Sequence, residues 1–385
     1  MTKIPEWWIE TILGEIVEVK SWSTPSTKEE SYWDWDISWI TPKDLSSYNK
    51  RFIDRWEKNI TGLWLKKSSA QLLPKNTVLF SSRAPIWYVA IANKELTTNQ
   101  WFKNLVCDEI NSHFMFFYYR LKNKKDFIEW LASWSTFSEI SWTWMKNLPV
   151  ILPPLPEQKA IAGVLSAFDD KIELLRAENQ TLEEMGQTLF KERFGKYKAW
   201  DELPDGWKVG KLGDIVDNYD SKRIPIASDK REIWEYPYYW ATGINWYVKD
   251  YIFDWIYTLL WEDWSVMKEN WKPFTQYVWW KIRVNNHAHV LQWKNWFSTE
   301  IIKIILDSVD ITPYVTWAVQ LKISQWNMNS IPVIIPTDDV LVKFNSLINP
   351  IFAKIRANSE EIESLSKTRD QLLPKLMSWE VRVEF

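Results

Sequence analysis

The sequence is an imperfect tandem repeat, and no other feature restricts its fold as strongly. Residues 5–8, Pro-Glu-Trp-Trp, recur 199 positions later as Pro-Asp-Gly-Trp, and residues 13–17, Leu-Gly-Glu-Ile-Val, recur at the same offset as Leu-Gly-Asp-Ile-Val. Residues 148–153, Leu-Pro-Val-Ile-Leu-Pro, recur 183 positions later as Ile-Pro-Val-Ile-Ile-Pro. A repeat of this length predicts two homologous halves, the second with a variable region 16 residues shorter than the first.

Both halves show the same order of predicted elements: short β-type runs, a boundary marked by proline, and then a long helix. A helical piece over residues 108–122 interrupts the runs of the first half. The predicted strands are residues 77–80, 88–91 and 150–152 in the first half and residues 281–284, 289–291 and 301–305 in the second. This mixture predicts an α+β fold, with domains over 1–152 and 200–335 and helical segments over 153–199 and 336–385.

The two long helices carry matching apolar seams. Apolar residues recur at alternating steps of four and three over four heptads, and adding 183 to each seam position of the first helix gives the seam of the second. We predict that the helices pack on one another; the alternative is that each stripe faces a globular core. The helix over residues 157–195 spans about 58 Å. The predicted interface residues are Ile161, Leu165, Ile172, Asn179, Leu182, Ile355, Asn358, Ile362 and Leu365.

An antiparallel arrangement of these seams about a two-fold axis near residue 177, the middle of the first helix, makes a specific prediction. It sets Asn179 opposite Asn358, so that the two polar residues of otherwise apolar seams share one layer. An unpaired amide there costs about 1–3 kcal/mol, and the shared layer disfavours slipped registers. The same axis places Arg369 opposite Phe168, where the arginine has to extend its charged end to solvent.

Tryptophan and glycine occur in abnormal numbers, 30 and 9 respectively. A soluble chain of 385 residues has roughly 27 glycines. Several tryptophans, among them Trp22, Trp35 and Trp264, lie in polar turn sequences where glycine is usual, and the repeat aligns Trp7 with Gly206. We interpret many of these tryptophans as UGA codons that the source organism reads as glycine; the alternative is a protein that is rich in tryptophan.

The sequence offers little catalytic chemistry. It contains no Gly-rich phosphate loop and no Asn-Pro-Pro-Tyr-like methyltransferase motif, and its single cysteine, Cys107, excludes a disulfide framework. His287 and His289 fit one face of a strand as two metal ligands, but a polar or structural role is the preferred interpretation. We therefore predict no catalytic residue and no metal site. The absence of an apolar run of about 18 residues predicts a cytoplasmic protein that does not bind membranes.

Five segments resemble one known family, the specificity (S) subunits of type I restriction–modification systems, along the whole chain. The matching segments are residues 13–25, 40–45, 152–162, 238–245 and 372–381, of which Leu-Pro-Pro-Leu-Pro-Glu-Gln-Lys and Leu-Leu-Pro-Lys-Leu are the most specific. The family pattern has glycine where this chain has Trp22, Trp240 and Trp379.

The resemblance implies two pseudo-symmetric target-recognition domains separated by two long antiparallel coiled-coil helices. Each domain of such a subunit reads one half of a split site in double-stranded DNA. Its helices dock two methyltransferase (M) subunits, and restriction/translocase (R) subunits add to that complex. The chain itself is then non-catalytic and binds no cofactor, while S-adenosylmethionine, ATP and Mg²⁺ belong to the partner subunits.

Reading DNA requires polar side chains for base edges and cations for phosphates. Within the two domains we therefore predict contacts from loop residues that offer amides, hydroxyls or charge. The candidates are Thr41, Lys43, Ser81, Ser82, Arg83, Thr98, Asn99 and Gln100 in the first half, and Thr242, Asn245, Lys268, Asn285, Asn286, His287 and His289 in the second. Each of these is otherwise a solvated loop residue, and residues 285–286 can instead cap a turn.

Two other classes of protein remain open from the residues alone. A coiled-coil adaptor that organises proteins and does not touch DNA agrees with the formal net charge of −3. An enzyme with an unrecognised site is the third interpretation. Salt-dependent binding to duplex DNA distinguishes a subunit that reads DNA from the adaptor.

Overall fold

The computed structural model describes the chain in two compact units. The first unit comprises Met1–Leu174 and Ile362–Phe385, and the second comprises Leu175–Glu361. The described residues are 4–24, 28–46, 48–54, 58–83, 85–125, 127–128, 139–198, 200–227, 235–240, 243–263, 266–317 and 320–384. We call residues 4–152 of the first unit the first module and residues 200–335 of the second unit the second module.

Among its described residues, the first module has ten strands and four short α-helices, and a long helix follows it. In chain order the elements are β1 (Ile9–Ile12), α1 (Leu13–Ile16), β2 (Val17–Lys20), β3 (Trp33–Ile40), β4 (Phe52–Ile53), β5 (Asn59–Ile60), α2 (Gly62–Lys66), β6 (Val78–Ser82), β7 (Ile86–Ala92), β8 (Thr97–Thr98), β9 (Phe102–Cys107), α3 (Phe114–Asn123), α4 (Trp142–Lys146), β10 (Pro149–Leu152) and α5 (Leu155–Phe194). The helix predicted over residues 108–122 is thus α3, which begins six residues later because Asp108 caps a turn through Ile110, Asn111 and Ser112.

A five-stranded sheet forms the centre of the first module, in the order β2-β9-β6-β7-β4. The neighbouring strands are antiparallel except β4, which runs parallel to β7. A second sheet has the order β5-β3-β8, and β1 pairs with β10. Helix α3 covers the central sheet, since its residues Phe116, Phe117 and Tyr119 are fully buried in the main apolar core of this unit.

The second module repeats this plan with different lengths. Its elements are β11 (Lys208–Lys211), α6 (Leu212–Ile215), β12 (Val216–Asn218), β13 (Tyr236–Trp240), β14 (Gly243–Val248), β15 (Phe253–Asp254), β16 (Tyr257–Trp261), β17 (Thr275–Val278), β18 (Lys281–Val284), β19 (Ala288–Trp293), α7 (Thr299–Ser308), β20 (Thr316–Trp317), β21 (Leu321–Lys322), α8 (Gln325–Asn329) and β22 (Pro332–Ile335), and α9 (Asp338–Met377) follows. The sheet orders are β12-β19-β16-β17 and β14-β13-β18-β15, with β11 paired to β22 and β20 to β21.

Strand register shows that the two modules are copies of one plan. Val17 pairs with Cys107 in the first, and Val216 pairs with Trp293 in the second. These partners are related by the repeat, at offsets of 199 and 186 positions. The predicted α+β fold with two similar domains is confirmed.

One predicted strand is wrong. Residues 301–305, Ile-Ile-Lys-Ile-Ile, lie in helix α7, and the side chain of Ser298 caps its start by accepting a hydrogen bond from the Ile301 N–H. Nine of the ten residues of this helix are buried. A run of five mostly apolar residues is too short to reveal its period, and the capping serine decides for helix.

In the second unit the two long helices pair antiparallel, and the predicted asparagine layer is confirmed. Asn358 Nδ2 donates to Asn179 Oδ1 at 2.9 Å, and further along the pair Phe190 contacts Phe344. The bonding runs one way, because Asn179 Nδ2 donates to Ser359 Oγ instead of to Asn358. The layer itself forms, but the prediction that the two amides hydrogen-bond each other reciprocally is wrong.

The predicted environment of Arg369 in the first unit is wrong. Its guanidinium does not extend freely to solvent but pairs with Asp169, a buried carboxylate on α5, and with Asp370. Asp169 also accepts a hydrogen bond from Tyr119 Oη at 2.6 Å. The arginine is thus held by a charge partner that its heptad position alone does not reveal.

Within the described ranges, none of the helices combines the length and the apolar composition needed to cross a membrane.

Candidate nucleic-acid interface

In each module two parallel strands end side by side. Strand β3 pairs with β8 through Ile40 and Thr98, and β13 pairs with β18 through Tyr239 and Val284. Because the strands are parallel, the loops that follow them leave from the same edge. We call residues 99–101 the first tip loop and residues 285–287 the second tip loop.

Two backbone hydrogen bonds hold each tip loop in the same way. In the first module the Asn99 N–H donates to the Ile40 carbonyl at 3.1 Å, and the Ser82 N–H donates to the Trp101 carbonyl at 2.7 Å. In the second module the Asn285 N–H donates to the Tyr239 carbonyl and the Glu262 N–H to the His287 carbonyl, both at 2.9 Å. The two loops are therefore equivalent positions of the repeat.

The first residue of each loop is a buried asparagine that caps the turn. The Trp101 N–H donates to Asn99 Oδ1 at 3.0 Å, and the Asn286 N–H donates to Asn285 Oδ1 at 2.5 Å. The residues are only 6% and 3% exposed. The capping role that the sequence allowed for Asn285 is confirmed, and Asn99 shares it. In this conformation neither side chain is open to a base.

Three predicted hydroxyl residues of the first module are fully buried. Ser81 Oγ donates to the Pro85 carbonyl, Ser82 Oγ donates to the Trp101 carbonyl, and Thr98 Oγ1 accepts from the Asn104 amide. These hydroxyls hold the ends of β6 and β8 in place, and none faces solvent in this conformation.

A buried lysine lies below the end of β6. Lys103 Nζ donates to Ser82 Oγ at 3.1 Å and lies 3.5 Å from Glu139. Burial lowers the pKa of Lys103, although the Glu139 carboxylate opposes this effect. The same carboxylate is 3.7 Å from the exposed Arg83, which remains available to a phosphate or a guanine.

The other candidates of the first module surround its tip loop. Thr41 begins a capping box with Asp44, and Lys43 in the same turn is exposed. Gln100 is half-buried, and both its N–H and its side-chain oxygen bond the hydroxyl of Thr24. The Trp22 indole donates to the Thr98 carbonyl at 2.8 Å. Sequence reasoning missed Thr24, which lies 76 positions from Gln100 and offers no local signal.

In the second module the candidates fall into two groups. Asn286 and His287 lie in the tip loop, where His287 meets Trp240 edge-on and bonds Asp263 at 2.7 Å. Asn245 is exposed on β14, next to Ile244, which lines a cavity of about 620 Å³ together with Lys268. Thr242 lies outside the described residues.

His289 points into the second module and belongs to a buried charge network. Its Nδ1 lies 2.5 Å from Asp220 and its Nε2 lies 2.9 Å from the Ile323 carbonyl, while Arg223 bonds Glu262 at 2.9 Å. Burial raises the pKa of Asp220, but the hydrogen bond and charge of His289 and the charge of Arg223 outweigh it and hold the pKa below its usual value.

Asp220, Glu262 and His289 offer ligand atoms within 4.8 Å of one another, the spacing of a metal site. Both nitrogens of His289 already face oxygen partners, and Arg223 supplies positive charge to both carboxylates. The residues therefore form a charge-balanced structural network, and a cation would have to displace it.

Comparison with known proteins supports the resemblance. A family model described as "Type I restriction modification DNA specificity domain" matches residues 5–184 and 204–365. The MjaIX type I restriction enzyme specificity subunit of Methanocaldococcus jannaschii is 34% identical, over 99% of this chain and 95% of the relative. The EcoprrI specificity subunit of Escherichia coli is 22% identical over 90% of each chain.

A solved structure shares the fold. The crystal structure of a type I restriction–modification system S subunit from M. genitalium matches 100% of this chain and 99% of its own, with a TM-score of 0.53 and 19% identity. The two family matches cover the two homologous halves that the sequence repeat predicted, together with most of both long helices. This protein therefore belongs to the family of type I restriction–modification specificity subunits.

Proposed function

We propose that this chain selects the DNA sequence for a type I restriction–modification complex. Each module reads one half of a bipartite site in duplex DNA, and the long helices dock two methyltransferase subunits, to which restriction subunits add. The observation that carries the proposal is the pair of equivalent tip loops on two copies of one plan, in a chain of this family.

Exposed polar residues near the tip loops supply the chemistry of readout. Asn286 and Lys43 are exposed and Gln100 is half-buried, so that amides and a cation are accessible at the strand ends. Amide side chains pair with adenine in the major groove, and lysine or arginine pairs with guanine or phosphate. Because each of the two modules reads a few bases at its own position, we expect the target to be a site in two separate halves.

Apolar residues on the outer faces of the long helices support docking of protein subunits. Leu174 is 62% exposed on α5, and Leu347 is 54% exposed on α9. A docked subunit would bury apolar surface at these leucines, which favours its binding. S-adenosylmethionine, ATP and Mg²⁺ then bind to the partners, where methylation and cleavage take place.

Co-expression with its methyltransferase partner, followed by genome-wide mapping of methylated bases, tests this proposal. We expect one bipartite motif, and replacement of residues 204–330 by the module of a relative should change one half of it only. The purified chain alone should neither methylate nor cut DNA with S-adenosylmethionine or ATP. Methylation without a bipartite motif would overturn the proposal.

The adaptor interpretation predicts a different outcome. A chain that only organises proteins would leave the methylated motif unchanged when a module is exchanged, and its assembly would bind duplex DNA no better than the partner alone. Binding that weakens steeply with salt and depends on this chain favours the specificity subunit.

A further inference from the structure

We propose that Gln100 and Asn286 are equivalent specificity-determining residues, each reading an adenine in its own half-site. The inference rests on the function proposed above and deepens it, because it names the side chains and the base. It follows from the equivalence of the two tip loops, which the sequence repeat alone does not show.

The equivalence is set by the backbone. The tip loops are bounded by matching hydrogen bonds, from Asn99 to Ile40 and from Asn285 to Tyr239 at their starts. Ile40 and Tyr239 are separated by 199 positions, the offset of the conserved repeat, whereas the loops are separated by 186. Register through the paired strands thus aligns Gln100 with Asn286 despite the change of offset between the strands and the loops.

The first and second positions of each loop have different tasks. Asn99 and Asn285 are buried and hold the turn through their side-chain oxygens. Gln100 and Asn286 come directly after them and are accessible. Both modules therefore present a carboxamide at the same position, directly after a buried asparagine.

The two carboxamides differ in how firmly they are held. Thr24 accepts a hydrogen bond from the Gln100 N–H at 3.1 Å, and its hydroxyl donates to the Gln100 side-chain oxygen. This leaves the Gln100 Nε2 hydrogens and one oxygen lone pair for a ligand. The exposed Asn286 amide makes no side-chain hydrogen bond within the described part of the chain.

A carboxamide is the side chain that matches adenine. Its N–H₂ donates to N7 and its oxygen accepts from the N6 amino group, a bidentate pattern that distinguishes A·T from the other pairs in the major groove. Because Gln100 is pre-ordered by Thr24, it loses less conformational freedom on binding than Asn286. The half-site of the first module should accordingly be read more strictly at this base.

The test uses the assembled complex with its methyltransferase partner and genome-wide mapping of methylated sites. Gln100→Ala should relax one A·T position in one half-site, and Asn286→Ala should relax one A·T position in the other. The loss of discrimination against the wrong base should be roughly 5- to 150-fold at each position. Gln71→Ala and Gln320→Ala, which remove exposed amides outside the tip loops, should leave the motif unchanged.

A change of specificity provides a readout that a purely structural role would not produce. Gln100→Glu replaces the donor by an acceptor and should shift the preference at that position from adenine towards cytosine. If the wild-type complex yields a bipartite motif but both alanine variants retain it, the inference is wrong and the proposed function stands. If the wild-type complex yields no bipartite motif, the proposed function itself fails.

Discussion

The two units follow one plan, but one equivalent layer between module and long helices is ionic in the first unit and apolar in the second. In the first unit Asp169 on α5 is buried, accepts from Tyr119 of α3 and pairs with Arg369 of α9. At the repeat offset of 183 positions, Phe352 is the counterpart of Asp169, and Gly186 is the counterpart of Arg369. In the second unit that layer is apolar, because Gly186 faces both Phe352 and Ile304 of α7.

This difference shows what the repeat has conserved. The pairing of equivalent strands, such as β2 with β9 and β12 with β19, recurs in both units, whereas the side chains that fill this layer differ. The arginine of the first unit requires a buried carboxylate, and Asp169 is held in place for this by a hydrogen bond from Tyr119. The glycine of the second unit requires a large neighbouring side chain, such as Ile304, to fill the space beside it. Each solution is complementary only within its own unit, so single exchanges between units should be harmful.

The largest effect should come from breaking the ionic layer. Asp169→Ala leaves the guanidinium of Arg369 and the hydroxyl of Tyr119 without their buried partner, which should lower the free energy of unfolding by about 3–5 kcal/mol. Urea unfolding of the full chain, followed by circular dichroism, measures this loss. Asp170→Ala is the matched control, because Asp170 is an exposed partner of Arg51 and its loss should cost less than about 1 kcal/mol. Equal losses in the two variants would show that the layer is not decisive.

The asparagine layer of the second unit should give the next largest effect. Asn358→Leu removes the donor to Asn179 and to Glu178, and it leaves the Asn179 oxygen without that bond, at a cost of about 1–3 kcal/mol. The repeat places Leu175 and Ile362 at the equivalent positions, so this polar layer has no polar counterpart. Unfolding in urea measures the loss; Glu360→Ala, at an exposed position of the same helix, should leave stability nearly unchanged. A variant as stable as the wild type would contradict the pairing.

Positions of left-handed backbone provide a test of the tryptophan interpretation. Gly206 has φ +77°, and Trp87, Trp271 and Trp379 have φ of 97°, 66° and 56°, which is a strained conformation for a bulky side chain. Trp7, the repeat partner of Gly206, does not share this φ among the described residues. Trp271→Gly removes a half-exposed indole from strained backbone and should stabilise the second unit by about 1–3 kcal/mol.

Mass spectrometry of the protein made in its own organism tests the same interpretation directly. We expect glycine at positions 22, 240, 264 and 379 from the sequence, and at 87 and 271 from the backbone angles. Trp8 and Trp207 match one another across the repeat and should remain tryptophan. Peptides with intact tryptophan at positions 22, 240, 264 and 379 would refute the interpretation that these codons are read as glycine.

The smallest effect should come from the apolar counterpart of the ionic layer. A methyl group at Gly186 would lie 3.5 Å from Ile304 and 3.6 Å from Phe352, which is ordinary van der Waals contact. Gly186→Ala should therefore raise the free energy of unfolding by about 0.5–1 kcal/mol through helix propensity. Gly163→Ala, where the added methyl group meets open space on the same helix, should give a similar gain. Destabilisation by Gly186→Ala alone would show that the layer has no room.

Features that depend on spacing along the chain can be predicted from the residues alone. The repeat predicts two modules of one plan, and the heptad seams predict that the long helices pack together, because both follow from periodicity along the chain. The antiparallel direction comes from the family resemblance, and with that direction the seams place Asn179 beside Asn358. A turn that favours glycine is also recognisable from the neighbouring residues, and Trp379, at one such predicted position, does have a left-handed backbone.

Which side chains are accessible and which are enclosed depends on packing between elements that are distant in the sequence. Polarity predicts that Ser81, Ser82 and Thr98 face DNA, yet neighbouring strands bury them. Asp169 meets Arg369 across 200 positions, and Gln100 corresponds to Asn286 only through strand register. Burial and pairing across such distances depend on which elements pack together, and the local residue pattern does not contain that information.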